Sequence, residues 1–247
     1  MQKRKASPSS QDSPFAKKSH SKNPIFGRDG LGPYISRPEK FELKRVIYFT
    51  PAFVAINDLY PKSSVHTLLL PRSAKHYFQH PFDAFEDEEF LAAVKEQCVK
   101  LKTIVAQELR KKYSRFSKLD EPYRAVINGD VELAEGEPLP EGRDWEKEVK
   151  VGVHAHPSMN HLHIHILSVD RYSEFLKYRK HYNSFATDFF VPVDDFPLAA
   201  DDPRRHPGKE GYLNENMKCW RCGKNFGNKF ARLKEHLTEE FDEWKKE

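Results

Sequence analysis

Cysteine is scarce in this 247-residue chain, which has three. That is too few for the disulfide framework of small secreted domains, and no leader-like apolar stretch is visible. Long apolar runs are missing as well, and none approaches the ~20 residues a bilayer span needs. These absences exclude a membrane protein of helical type and lead to the expectation of a soluble, monomeric protein of a reducing compartment. A strong charge of one sign is also lacking. The formal charge is +4 and the pI is near 8.8, so total charge does not by itself assign a polyanionic partner. With 38% hydrophobic and 13% aromatic residues, there is enough apolar material for one full-sized domain and a small module.

The most informative stretch is HLHIHIL, residues 161–167. Its alternation predicts a strand, with Leu162, Ile164 and Ile166 on one face and His161, His163 and His165 on the other. Neutral imidazole serves either as a metal ligand or as a nucleophile. Residues two apart on a strand are about 7 Å apart, so three ligands in one row cannot easily converge on one ion. Just upstream, VHAHPSMN carries His154 and Ser158, and Pro157 breaks the ladder. A hydroxyl in a loop beside imidazoles favours phosphate chemistry.

Residues 1–23 are polar, rich in Lys and Arg and interrupted by Pro8 and Pro14. They read as a disordered tail, suited to nuclear import or to a nucleic-acid arm. RVIYF, FVAI and VHTLLLP predict an antiparallel meander over 45–71. Apolar residues from Phe90 to Leu109 recur at three and four, predicting a long amphipathic helix over 87–113 with Cys98 buried in its stripe. YRAVI reads as another strand, and the acidic, Pro/Gly-rich stretch after it as a surface loop. A further strand, VKVGVHAHP, forms a hairpin with the histidine row. Lys177, Arg179, Lys180 and His181 then form a cationic run able to hold phosphates, and residues 191–208, with four prolines, read as an irregular connector.

The last segment, 209–247, carries Cys219, Cys222, His236 and Glu240. Their spacing matches a zinc finger in which an acid replaces the second histidine, with His236 and Glu240 one helical turn apart. Glu239 competes for the fourth position. Between Arg204 and Lys234 there are nine basic residues against two acids, which predicts a phosphate-binding face that includes Arg221, Lys224 and Lys229. Zn²⁺ is expected as a structural ion, since so short a segment has little core of its own.

The row at 161–167 resembles the signature of the histidine triad hydrolases and transferases, and HAHPSMNH and KHYNSF resemble the aprataxin branch in particular. The resemblance covers roughly residues 25–245 and implies an α+β chain: the histidine triad fold over 24–190, an antiparallel sheet with packed helices, then the finger module. The forkhead-associated domain of animal aprataxins is absent, as in fungal-type forms. The implied activity is removal of AMP from adenylated 5′-phosphates at nicked or broken DNA, RNA–DNA junctions included, with AMP as product and the nucleus as location. His163 is the implied nucleophile, forming a covalent AMP-histidine. His165 binds a non-bridging oxygen, His161 orients the row by hydrogen bonding, His154 assists the leaving group and Ser158 stabilises developing charge. Asp58 is a turn residue that the resemblance assigns to the ribose hydroxyls, Leu59 packs on the base and His66 lies close to the nucleotide. Tyr34 belongs to a short helix over the active-site mouth that meets the DNA end, while Lys177 and Lys180 hold backbone phosphates. No metal is expected for the chemistry itself. Two other readings remain open at this point: a small-nucleotide phosphoramidase of the triad type, and a non-catalytic zinc-finger DNA-binding protein.

Overall fold

A computed structural model describes residues 27–247, so the basic tail expected over 1–23 lies outside the described residues. The short helix α1 (Gly32–Ser36) leads into β1 (Val46–Phe49), β2 (Phe53–Asn57) and β3 (His66–Pro71), which pair as the expected antiparallel meander. After α2 (Pro81–Ala84) comes α3 (Glu88–Tyr113). Asp87 caps it, its Oδ1 accepting the Phe90 N–H at 3.1 Å. Acids in the first turn and Arg110, Lys111 and Lys112 in the last complement the helix dipole. The buried stripe of α3, including Val94, Cys98, Leu101 and Val105, packs with Leu162, Ile164 and Ile166 in the main core.

YRAVI is not a strand. It forms α4 (Glu121–Ile127), with Pro122 in the first turn and no buried residue. A run this short has no decisive period, and Pro pre-sets the dihedral of a helix start. The Arg124 guanidinium then ties it back to the Ser117 carbonyl at 2.9 Å.

Strands β4 (Val149–His154) and β5 (Ile164–Ser168) form the expected hairpin, and β5 also pairs with β3. After α5 (Arg179–Ala186), β6 (Phe190–Pro192) closes the free edge of β4, giving the order β1-β2-β3-β5-β4-β6. The expected connector over 191–208 therefore starts inside the sheet, and its Phe196 and Leu198 join the main core. Apolar side chains between the prolines make it part of the packed body rather than a spacer.

Beyond α6 (Pro207–Glu210), the finger consists of β7 (Met217–Lys218), β8 (Asn225–Gly227) and α7 (Phe230–Trp244). It is not free-standing. Met217, Leu233 and Leu237 share one cluster with Leu176 and Tyr182, and the Tyr182 hydroxyl donates to the Lys218 carbonyl at 2.7 Å. The side-chain amide of Asn183 reaches the carbonyls of Leu213 at 3.3 Å and Glu215 at 2.8 Å. At its far end α7 inserts Phe241 and Trp244 into the main core, where the Trp244 indole donates to Glu148 at 2.7 Å.

Candidate active site and metal centre

Strand β5 begins at Ile164, so His165 is the one histidine of the row inside the paired strand; His161 and His163 lie on the approach to it. The alternation still holds. Leu162, Ile164 and Ile166 fall in the core beneath, while His163 and His165 face a cavity of about 1280 Å³.

Hydrogen bonds fix the protons of this cluster. The Lys62 backbone N–H donates to His66 Nδ1 at 3.1 Å, so the ring proton of His66 sits on Nε2. That nitrogen is 3.0 Å from His165 Nδ1, which must then accept, leaving His165 Nε2 as a donor with no protein partner among the described residues. His163 Nδ1 donates to the His161 carbonyl at 2.8 Å, so its Nε2 keeps a free lone pair. Burial holds all these rings neutral. It pushes His66 down to about 4 despite the Asp58 carboxylate 3.5 Å away, and it lowers His163, His154 and His165 as well. His154 ends β4 among Phe185 and Phe189, with Nε2 unpartnered among the described residues.

His161 does its work through the backbone. The hydrogen bond by which the resemblance has His161 orient the row is made by its carbonyl, and the ring lies against Phe78 and Gly32 with Nδ1 unpartnered among the described residues. Ser158 presents an exposed hydroxyl on the cavity wall. Asp58 is both turn residue and wall: Oδ1 accepts the Tyr60 N–H at 2.7 Å, and Leu59 lines the cavity beside it. Asp58, His66 and His165 also offer ligand atoms within 4.8 Å of one another, but here protons bridge the two imidazoles.

Of the expected DNA contacts, Lys180 lines the cavity. Lys177 is not in its wall, and its ammonium lies 6.0 Å from the Phe175 ring centroid. Tyr34 borders the cavity from a buried position, its hydroxyl accepting from Arg45 Nε at 3.0 Å. The cavity adds the cations Arg28, Arg45 and Lys62, which no sequence pattern announces, and is lined further on by His206 and by Lys209 of the basic stretch that opens at Arg204. No spacing rule marks these three, since they come from three separate loops. Lys62 is half-buried, and burial lowers its pKa while Asp58 opposes that fall. Arg171, fully buried, donates to the Phe185 carbonyl at 2.8 Å and the Ser168 carbonyl at 3.1 Å. It thereby holds the phenylalanine wall behind His154 and His165.

In the finger, Cys219, Cys222, His236 and Glu240 bring ligand atoms within 4.8 Å of one another. His236 Nε2 is 3.1 Å from Cys222 Sγ and 3.0 Å from Glu240 Oε1. Glu239 is exposed and faces the other ring nitrogen at 3.6 Å, so Glu240 completes the set. Two thiols, an imidazole and a carboxylate at this separation fit a tetrahedral zinc site. Arg221, expected on phosphate, is instead committed to carboxylates: Nη1 donates to Glu240 Oε2 at 2.7 Å, and the same guanidinium pairs with Glu247. This bond lowers the Glu240 pKa and keeps it ionised for a metal. Lys224 and Lys229 remain exposed.

A family profile described as "C2HE / C2H2 / C2HC zinc-binding finger" matches residues 186–243. A second, "Scavenger mRNA decapping enzyme C-term binding", matches residues 132–181, the span that holds the histidine row. The chain is 34% identical to an aprataxin-like protein of Schizosaccharomyces pombe, covering 88% of this chain and 82% of that protein. It is 35% identical to an aprataxin-like protein of Saccharomyces cerevisiae, covering 87% and 96%. Among solved structures it is similar to the aprataxin ortholog Hnt3 in complex with DNA, with TM-score 0.67, 32% identity and coverage of 88% and 96%. A complex of Hnt3 with DNA and guanosine superposes with TM-score 0.66.

Proposed function

Because the chain belongs to the aprataxin family of histidine triad nucleotide hydrolases, we propose that it removes AMP from adenylated DNA 5′-phosphates. The observation that carries this reading is the His163 lone pair, fixed by the His161 carbonyl and aimed into a cation-rimmed cavity. His163 Nε2 attacks the AMP phosphorus, the bond from phosphorus to the DNA 5′-phosphate oxygen breaks, and the DNA leaves as a 5′-phosphate. Water then cleaves the phosphorus–nitrogen bond, releasing AMP and restoring the imidazole. The His165 Nε2–H binds a non-bridging oxygen as charge builds, and the Ser158 hydroxyl adds a second donor. His154, neutral at the cavity wall, serves the leaving oxygen. Asp58 accepts from the ribose hydroxyls and Leu59 packs on the base. Zinc, which Cys219, Cys222, His236 and Glu240 would hold, would tie β7, β8 and α7 together as a structural ion.

The cavity's size favours a polymer over a free nucleotide. About 1280 Å³ exceeds the ~300–1,000 Å³ usual for small-molecule sites. One wall, from His206 to Asn214, belongs to the segment that leads into the finger. RNA–DNA junctions are included in the proposed range, and the nucleus is its proposed location. The deciding experiment compares turnover of a nicked duplex bearing 5′-AMP with that of a free nucleotide phosphoramidate. A preference for the small substrate would make the protein a phosphoramidase, and turnover of neither would leave a DNA-binding module.

A further inference from the structure

The catalytic loop between β4 and β5 is held from a distant part of the sequence. Asn160 N–H donates to the Arg28 carbonyl at 2.9 Å, and Asn160 Nδ2 donates to Asp29 Oδ1 at 2.7 Å. Arg28 Nε donates to the Ser158 carbonyl at 3.2 Å. Each bond spans about 130 residues of chain, so no local turn requires it. The same segment meets the next residue of the loop: a Cβ added at Gly32 would lie 3.1 Å from His161 Nε2. Residues 28–32 therefore lie across 158–161 as a strap.

What the strap holds matters for the chemistry. The carbonyl that fixes the His163 proton belongs to His161, one residue beyond Asn160. The peptide of that carbonyl is anchored on its nitrogen side, where Leu162 N–H donates to the Tyr77 carbonyl at 2.8 Å. On the Asn160 side it is anchored by the strap. With both anchors the carbonyl stays in line with His163 Nδ1. When the strap side slackens, as when the Asp29–Asn160 bond that reinforces the backbone bond of Asn160 is lost, the peptide can rotate, the bond to Nδ1 lengthens, and the alternative tautomer, whose Nε2 carries the proton and cannot attack, gains population.

We infer that Asp29 and Asn160 are positioning residues for the nucleophile: their hydrogen bond, acting through the His161 carbonyl, selects the tautomer in which His163 Nε2 is free. Neither side chain needs to touch the reacting atoms. The inference rests on His163 being the nucleophile of the proposed reaction. The bond is at the surface, so removing it leaves the core intact.

The test uses the full chain and variants Asn160→Ala, Asp29→Ala and the exchange pair Asp29→Asn/Asn160→Asp, which can rebuild the bond with donor and acceptor reversed. Two readouts are taken: kcat and KM on a 5′-adenylated nick, and the ¹⁵N shifts of the His163 ring, which report the tautomer without substrate. Each alanine variant should lower kcat by about tenfold to a hundredfold, the scale of a small misplacement of a reacting group, with KM little changed. The His163 ring should show a mixture of tautomers. The exchange pair should restore both readouts, and the double alanine variant should be no worse than either single one. Parental tautomer shifts in Asn160→Ala would overturn the inference whatever the turnover. A loss of kcat that the exchange pair does not restore would overturn it too. Failure of the proposed reaction is seen separately, as absence of turnover by the parent protein.

Discussion

His66 Nε2 and His165 Nδ1 face each other at 3.0 Å across adjacent strands, and this pair decides which nitrogen enters the cavity carrying a proton. The chain of constraint starts at a backbone amide, the Lys62 N–H, which cannot lose its proton at any working pH. It makes His66 a donor, which makes His165 Nδ1 an acceptor and leaves His165 Nε2–H for a phosphoryl oxygen. A histidine cluster whose tautomers are set by backbone groups needs no reorganisation when charge develops.

Replacing the nucleophile should be the most severe change. His163→Ala is expected to lose more than about a thousandfold in turnover of a 5′-adenylated nick, while DNA affinity survives. Single-turnover kinetics and equilibrium binding on the same preparation check this, and near-parental turnover would end the covalent mechanism.

Acid should destabilise the fold through the buried histidines. His66 is held neutral down to about 4 by burial, while in the unfolded chain it titrates near 6.5. Between those values only the unfolded state takes up the proton, so the contribution is whole above pH 6.5 and is lost as pH falls toward 4. For His66 alone the loss is on the order of 3 kcal/mol, and His154, His163 and His165 shift in the same direction. Denaturant melts across pH 4–8 should show this fall, and a flat profile would contradict the buried neutral cluster. The acid limb of kcat/KM should likewise lie below pH 6.5.

Zinc removal should loosen one end of the finger and spare the other. Cys222→Ser is expected to release the metal and unfold β7 and β8, yet the last turns of α7 stay anchored by Phe241 and Trp244. Amide hydrogen exchange should rise around Cys219–Gly227 and not around Trp244. DNA binding should weaken, and the salt slope should shrink by about one for each phosphate the finger no longer neutralises.

Arg221 and Lys229 have separate roles despite their shared charge. Arg221→Ala removes the partner of Glu240 and should lower zinc affinity about tenfold to a hundredfold. Lys229→Ala should leave zinc affinity unchanged and weaken DNA binding evenly across sequences. Chelator competition and a binding series distinguish them.

Gly152 lies where β4 meets β6, and an added Cβ would come within 2.6 Å of the Val191 carbonyl oxygen and of the Phe190 ring. Gly152→Ala should cost about 1–3 kcal/mol, as overpacking does. The melting temperature should fall with little change in the histidine cluster's chemistry.

Much of this architecture is legible in the sequence because it is periodic. Apolar runs between turn residues mark the strands around 45–71, alternation marks the histidine row, and a three-four spacing marks α3 with Cys98 inside it. Two local spacings mark the histidine row and the finger ligands. YRAVI misleads because so short an apolar run carries no period, and Pro122 is the available clue to a helix. Lys62, Arg28 and Arg45 escape notice because a cavity wall assembled from separate loops leaves no pattern along the chain. Arg221 reads as a phosphate ligand on charge alone, since sequence does not show that Glu240 and Glu247 fold back onto it. The His161 carbonyl cannot be found by residue type at all: a backbone group does that work.

The single amide of Asn183, shared among carbonyls at the root of the finger, has a geometric consequence for any duplex that touches both parts. In beads joined by a slack tether, the second contact forms as often as the tether brings it into range, and a poorly shaped partner is met by stretching. Here the span from His163 to the zinc ligands is a constant of the fold, like the gap of a calliper. A duplex whose end and flank do not match that gap must itself deform or release one of the two sites, so the cost of a misfit falls on the nucleic acid.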